Sequence, residues 1–191
     1  MQTDTALPAP TAAERQLSDA LVALIREQIA AAGGSIPFSR YMELCLYAPG
    51  LGYYSAGQRK FGSGGDFVTA PEVSSLFGRC VAQSCAAVLR QTGGDVLEFG
   101  AGSGRLAIDL LAELAAMDSL PGRYLILERS AELRQRQREA LHRELPQLAG
   151  RVEWLDELPA QELNGVVLAN EVLDAMACER WRWTGEQVER L

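Results

Sequence analysis

The sequence predicts an α/β fold built on a parallel sheet, preceded by a helical extension, and three observations carry that prediction. From Asp95 onward, short apolar runs alternate with helical stretches, the order expected of strands joined by crossover helices. Two of the runs, YLIL at 124–127 and VVLA at 166–169, lack the apolar-polar alternation of a half-solvated strand and read as strands covered on both faces. The stretch DVLEFGAGSGRLAIDLL, residues 95–111, joins a strand to an amphipathic helix through a turn holding Gly100, Gly102 and Gly104.

The elements follow in order. Thr11 and Glu14 have capping-box spacing, and Leu17, Leu21, Leu24, Ile25 and Ile29 then recur at helical period until Gly33 and Gly34 stop the helix. A second, shorter helix is expected after Pro37, with Tyr41, Leu44 and Cys45 on its buried side, ending before Pro49 and Gly50. Residues 48–65, APGLGYYSAGQRKFGSGG, hold six glycines and three aromatics and predict a long loop of functional kind. Thr69 and Glu72 repeat the capping-box spacing with Pro71 early in the turn, and Val73, Leu76, Phe77, Cys80, Val81 and Val88 continue a helix to about Arg90. Then come a strand at DVLEF, a helix over 105–117, a strand at YLILE and a charged helix from Ala131 to about Leu145. RVEWL, GVVLAN and the short ERWRW complete the strands. This order predicts a flexible start over 1–10, a helical extension with its glycine-rich loop over 11–92, and a sheet domain over 93–191.

Composition narrows the function. Apolar residues make up 48% and charged residues 23% of the 191-residue chain, as in an ordinary globular protein. A net charge of -7 opposes a nucleic-acid backbone as the main partner. The arginine-dense run ERSAELRQRQREALHR also carries Glu128, Glu132 and Glu139 and reads as a solvated helix face. Cys45, Cys80, Cys85 and Cys178 form no CxxC pair, and with His142 the one histidine there is no zinc-ligand spacing, so no metal site is expected. The first residues, MQTDTALPAP, resemble neither a secretory nor a mitochondrial leader, and no apolar run approaches the roughly 18 residues that span a bilayer. The expectation is a soluble cytoplasmic protein with no membrane insertion.

The glycine turn identifies the ligand class. A strand, a glycine-rich turn and a helix present backbone N–H groups beside the carboxyl ends of the strands, where open α/β sheets bind ligands. A dinucleotide fingerprint GxGxxG fails here, because Arg105 occupies the last position. The turn Gly100-Ala101-Gly102-x-Gly104 is preceded by Glu98, a carboxylate that repels a pyrophosphate and favours an ammonium or sulfonium group. Glu128 ends the second strand, where an acid accepts hydrogen bonds from ribose hydroxyls, and Asp156 follows the third, near the expected adenine amino group. The ordered acids with the turn point to S-adenosylmethionine.

With these residues in view, the chain resembles the class I S-adenosylmethionine-dependent methyltransferases, and more narrowly the MidA family. The narrower resemblance rests on YMELCLYAPGLGYYS, GDFVTAPEVSSLFG, VLEFGAGSGRLAIDLL and ANEVLDAM, in that order, and covers about residues 35–185. It implies a Rossmann-like sheet of which this chain carries the first four to five strands, the family being about twice as long. It implies methylation of a protein arginine, with a respiratory complex I subunit as the partner known for mitochondrial members. Two rivals stand beside it: a non-catalytic cofactor-binding assembly protein, and a nicotinamide-dependent oxidoreductase. A sheet that stops at its fourth strand also predicts self-association along the exposed edge.

Under that resemblance the segment after the fourth strand acquires a role. Asn170 and Glu171 follow VVLA, and Asp174 lies three residues beyond Glu171, so in a helix the two acids share a face. A carboxylate pair grips a guanidinium bidentately and orients its nitrogen. The alternative is a helix N-cap by Asn170 with acids favoured by the dipole. Thr69, Pro71 and Glu72 are expected to cover the cofactor, with the helix start receiving its carboxylate and Glu72 its amine, although a capping box alone explains Thr69 and Glu72. Tyr53, Tyr54 and Phe67 are either loop packing or substrate contacts. Trp154 either flanks adenine or fills the core.

Overall fold

The computed structural model describes residues 9–55 and 69–191. The chain divides into two compact units, one of residues 57–175 and one joining the N-terminal residues to Met176–Leu191.

The larger unit contains the sheet. Its strands β1 (Asp95–Phe99), β2 (Tyr124–Leu127), β3 (Val152–Leu155) and β4 (Gly165–Ala169) are ordered β3-β2-β1-β4, and every pairing is parallel. Between them run α5 (Arg105–Ala116) and α6 (Ala131–Glu144), and before them α3 (Ala70–Val73) and α4 (Ser75–Thr92). The chain builds outward from β1 through β2 to β3, then returns to place β4 on the other side of β1. The order therefore reverses beside β1, and open α/β sheets bind ligands outside the carboxyl ends at such a switch point.

One sheet face, carrying Val96, Tyr124, Ile126 and Val152, forms a core with Ala82, Cys85, Ala86 and Leu89 of α4 and Leu106, Leu110, Leu111 and Leu114 of α5. The close approach of α4 to α5 has a sequence cause: Gly78, Ala82 and Ala86 recur every fourth residue on the buried stripe of α4. A Cβ at Gly78 would lie 2.6 Å from the Cβ of Asp109. The division thus differs from the sequence boundary at residue 92, because the stripe on α4 is completed by α5 and the compact unit takes both.

Three expectations change. The helix expected from Thr69 to Arg90 is broken at Ser74, which is extended (φ -161, ψ 140) and caps α4 through its hydroxyl on Leu76 N. VVLA is not covered on both faces: β4 pairs with β1 alone among the described residues, and Val167 is 57% exposed. ERWRW does not extend the parallel sheet. It forms β5 (Trp181–Trp183), which pairs antiparallel with β6 (Val188–Arg190), a strand the sequence reading did not anticipate. The turn Thr184-Gly185-Glu186-Gln187 closes this hairpin, with Gly185 at φ +100 and Thr184 N donating to Gln187 O.

In the smaller unit, α1 (Ala12–Ala31) starts with the expected capping box, Glu14 N donating to Thr11 Oγ1 and Thr11 N to Glu14 Oε2. Its apolar stripe is only half-buried. On α2 (Phe38–Tyr47), Leu44 is buried and Cys45 partly so, but Tyr41 is 44% exposed, against expectation. The chain then folds back on α2: Gly52, Tyr53 and Tyr54 donate backbone bonds to Ala48, Cys45 and Leu46. A Cβ at Gly52 would lie 2.5 Å from Ala48 N, so only glycine fits. Tyr54 stacks on Tyr47 and meets Tyr53 edge-on, the loop-packing alternative for this pair. Phe67 lies outside the described residues. The hairpin joins α2 through Ser39, which donates to Glu179, itself paired with Arg190.

Candidate functional site

The glycine turn leaves β1 at the switch point. Gly100 N donates to Leu127 O at 3.0 Å, so the turn begins tied to the end of β2. Gly100, Gly102 and Gly104 have φ of +59, +55 and +84. All three therefore occupy the left-handed region that side chains rarely adopt, and this explains three glycines on alternate positions. Ala101 between them is 7% exposed and sits in the core. Val172, just past β4, covers Gly100, where an added Cβ would lie 3.5 Å from Val172 Cγ2. Gly104 is the N-cap of α5 and makes no side-chain cap, while Arg105 N donates to Ser103 Oγ. The segment after β4 thus meets the turn.

The acids are placed less uniformly. Glu98 does not front the turn. It lies within β1, 2% exposed, and its Oε2 accepts a 2.7 Å bond from the Tyr124 hydroxyl. Residues alternate across a strand, so Glu98 shares the core-facing side with Val96, and the ladder sets it beside Ile126 of β2. Burial pushes its carboxyl up to about 7, against the lowering effect of the Tyr124 bond and with the charge of Glu128 adding to the rise.

Glu128 follows β2 and is 6% exposed. Its Oε1 accepts from Ser130 N at 2.9 Å and its Oε2 faces Gln137 Nε2 at 3.4 Å. The Arg129 backbone N–H also bonds this carboxylate, and since a carboxylate offers about four acceptor positions, capacity for a hydroxyl remains. Burial raises its carboxyl above the ordinary range, opposed by the Ser130 and Gln137 hydrogen bonds and by Arg134. Asp156, by contrast, has a side chain 91% exposed and is paired with Arg134 at 2.7 Å.

Glu72 reaches the turn, but through the protein. Ser103 donates its hydroxyl to Glu72 Oε1, which fastens α3 to the glycine turn. The Thr69 side chain makes no cap, since Glu72 N donates to the Thr69 carbonyl and the Glu72 carboxylate turns toward Ser103. Pro71 is buried. After β4 the helical expectation fails: Asn170 precedes only a 3-10 turn over Leu173–Ala175, and Glu171 is left-handed at φ +52. The two acids are not placed by a shared helix face, and Asn170 does not cap a helix. Glu171 and Asp174 are exposed, and neither has an ion-pair partner among the described residues. A glutamate held at positive φ is uncommon and clusters at functional positions.

Two residues of α6 were missed. Arg134, with a side chain 15% exposed, donates to Glu128 O, Leu155 O and Asp156 Oδ1, clamping the ends of β2 and β3 together. Gln137 is 2% exposed and contacts the turn, Glu128 and Trp154 at once. Trp154 accordingly belongs to the wall behind the site, its indole N–H donating to Gln137 and Arg138 stacked over its ring at 4.7 Å. The reading of α6 as a wholly solvated face was too coarse. The signal was present: Leu133, Gln137 and Leu141 are spaced by four, which sets a glutamine in an apolar stripe. Among the described residues no cluster of acids, cysteines and histidine has metal-binding geometry, and no helix is long and apolar enough to cross a membrane.

Comparison with known proteins gives concordant findings. Residues 78–191 match a family described as "Putative S-adenosyl-L-methionine-dependent methyltransferase". The mitochondrial protein arginine methyltransferase NDUFAF7 homologue of Caenorhabditis elegans is 28% identical over 177 residues, 80% of this chain and 41% of that protein. The mitochondrial protein arginine methyltransferase NDUFAF7 of Danio rerio is 34% identical over 118 residues, 58% of this chain and 28% of that one. A crystal structure from Burkholderia thailandensis, bound to S-adenosyl-homocysteine, superposes with a TM-score of 0.85 at 49% identity, covering 97% of this chain and 49% of its own. The chain spans half the length of these relatives or less.

Proposed function

The chain belongs to the family of S-adenosylmethionine-dependent methyltransferases, and from that premise we propose that it forms the cofactor-binding half of an enzyme that methylates a protein on arginine. The observation that carries the cofactor part is the convergence at one sheet edge of a turn made of left-handed glycines and a buried carboxylate that keeps acceptor capacity for a hydroxyl. The turn has no side chains where a ligand's methionine portion needs close backbone contact. Glu128 takes the ribose hydroxyls, Asp156 the adenine amino group, and Glu72, fastened to the turn through Ser103, supplies negative charge for an amine or sulfonium. The arginine part is supported by the names of the worm and zebrafish relatives and by Glu171 and Asp174, which are exposed and carry no ion pair among the described residues.

Bound S-adenosylmethionine would supply a methyl group held on a positively charged sulfur. The protein's own task is to bring the acceptor nitrogen onto the methyl axis and keep water out. Glu171 and Asp174 do this by hydrogen-bonding the guanidinium, which leaves one nitrogen oriented, and by accepting the proton it sheds.

Calorimetric titration with S-adenosylmethionine, S-adenosylhomocysteine and NAD tests the cofactor assignment, and tighter binding of NAD would end it. Glu128→Ala should weaken S-adenosylhomocysteine binding by about 1–3 kcal/mol, the loss expected for hydrogen bonds to a charged group. The arginine assignment is tested by radiolabelled methyl transfer to arginine-containing protein by a full-length relative of this chain. Glu171→Gln with Asp174→Asn should abolish transfer while leaving S-adenosylhomocysteine bound. A protein that binds cofactor but methylates no arginine would favour the non-catalytic assembly role.

A further inference from the structure

We propose that Gln137 is a positioning residue of the cofactor site, one side chain that sets both the peptide plane of the glycine turn and the carboxylate of Glu128. The proposal rests on the reading of that edge as the S-adenosylmethionine site and names what holds it in shape.

Gln137 is 2% exposed, and both polar atoms of its side-chain amide have partners. Trp154 Nε1 can only donate, so the atom 2.8 Å from it is the Gln137 oxygen. That fixes which way the amide faces and leaves Nε2 toward Gly102 O at 2.9 Å and Glu128 Oε2 at 3.4 Å. Two N–H bonds on Nε2 meet two acceptors, and nothing in this junction is left over. β3, the turn after β1 and the end of β2 are thereby joined through α6.

Two consequences follow for the site. A trans peptide sets its C=O and N–H on opposite sides, so holding Gly102 O against Gln137 aims the Ser103 N–H the other way. The left-handed Gly102 has freedom that its own φ does not remove, and the bond to Gln137 removes it. The second consequence concerns Glu128. Its carboxylate is buried and bonded by Ser130 N, and Gln137 supplies a further donor that favours the ionised, acceptor-only form. The other charged groups around it are Glu98 from β1, paired with Tyr124 of β2, and Arg134 of α6, itself paired with Asp156 beyond β3. Gly104 packs against the same side chain, an added Cβ lying 3.3 Å from Gln137 Cγ, so the residue also limits where the turn can move.

The test is calorimetric binding of S-adenosylhomocysteine to this chain, from pH 5.5 to 8.5, by the parent, Gln137→Met, Gln137→Glu and Glu128→Gln. Methionine keeps the volume and loses the bonds. Gln137→Met should bind about tenfold more weakly, the size of one charge-assisted bond, and its loss of affinity on acidification should begin at higher pH than in the parent. Gln137→Glu presents a carboxylate to two acceptors at pH 8.5 and regains a donor as it protonates. Its disadvantage relative to the parent should therefore shrink as the pH falls, which a packing defect would not do. Gln137→Met within twofold of the parent, or variant-to-parent ratios independent of pH, overturns the proposal. A parent that does not bind, or a Glu128→Gln variant that binds like the parent, overturns instead the site reading on which it rests. Should neither Gln137 variant fold, the parent still decides: its Gln137 side-chain amide resonances must shift on saturation with S-adenosylhomocysteine, and unmoved resonances refute the role.

Discussion

Replacing Glu98 with glutamine should make the protein more stable at alkaline pH and change it little in acid. Glu98 is enclosed in the core beside Tyr124, and burial raises its carboxyl from 4.5 to about 7. A group that holds its proton more tightly when folded favours the folded state below the unfolded value and loses that advantage as the pH rises through the folded one. The window therefore runs from about 4.5 to about 7. At about 1.4 kcal/mol per pH unit, the ionised carboxylate costs the folded state about 3 kcal/mol above that window. Glutamine stays neutral, keeps an oxygen for the Tyr124 hydroxyl and has nearly the same shape. In urea unfolding followed by circular dichroism, the stability of Glu98→Gln minus that of the parent should grow by about 2.5 kcal/mol between pH 5 and pH 8.5. A difference that stays flat, or narrows with rising pH, would show that Glu98 does not ionise in a buried setting. Glu128 and Asp109, both raised chiefly by burial, act in the same direction as Glu98.

Gly102→Val forces a β-branched side chain into φ +55, and should abolish S-adenosylhomocysteine binding in a chain that remains folded by circular dichroism; an unchanged dissociation constant would remove the turn from the site. Gly165→Ala is a matter of fold, because its Cβ would lie 1.9 Å from Asp95 O at φ +139, and it should cost more than about 2 kcal/mol in the same urea assay by displacing the start of β4. The edge of β4, unpaired among the described residues and with Val167 exposed, should pair with a second copy, so light scattering across a dilution series should show a concentration-dependent mass. A constant monomeric mass would show that the edge is protected.

The sequence by itself determined what depends on local chemistry. The capping box at Thr11, the strand-turn-helix of residues 95–116 and the three glycines follow from neighbouring residues, because φ above zero demands glycine and helical period demands an amphipathic stripe. The family resemblance was legible for the same reason, since its motifs are contiguous. What only the tertiary structure decided is where side chains go once strands are neighbours. VVLA reads as a covered strand but lies at an edge, because coverage depends on what lies beyond it and not on its own residues. Glu72 has the spacing of a cap, yet it bonds Ser103, 31 residues away in sequence, because that hydroxyl is brought to it by the turn. Glu171 and Asp174 have helical spacing, but the backbone turns left-handed at Glu171 where Val172 must cover Gly100. Gln137 is the plainest case. Its spacing of four from Leu133 and Leu141 marks it as inward-facing, but its role exists only because β1, β2 and β3 end at one place and leave three partners around one buried amide.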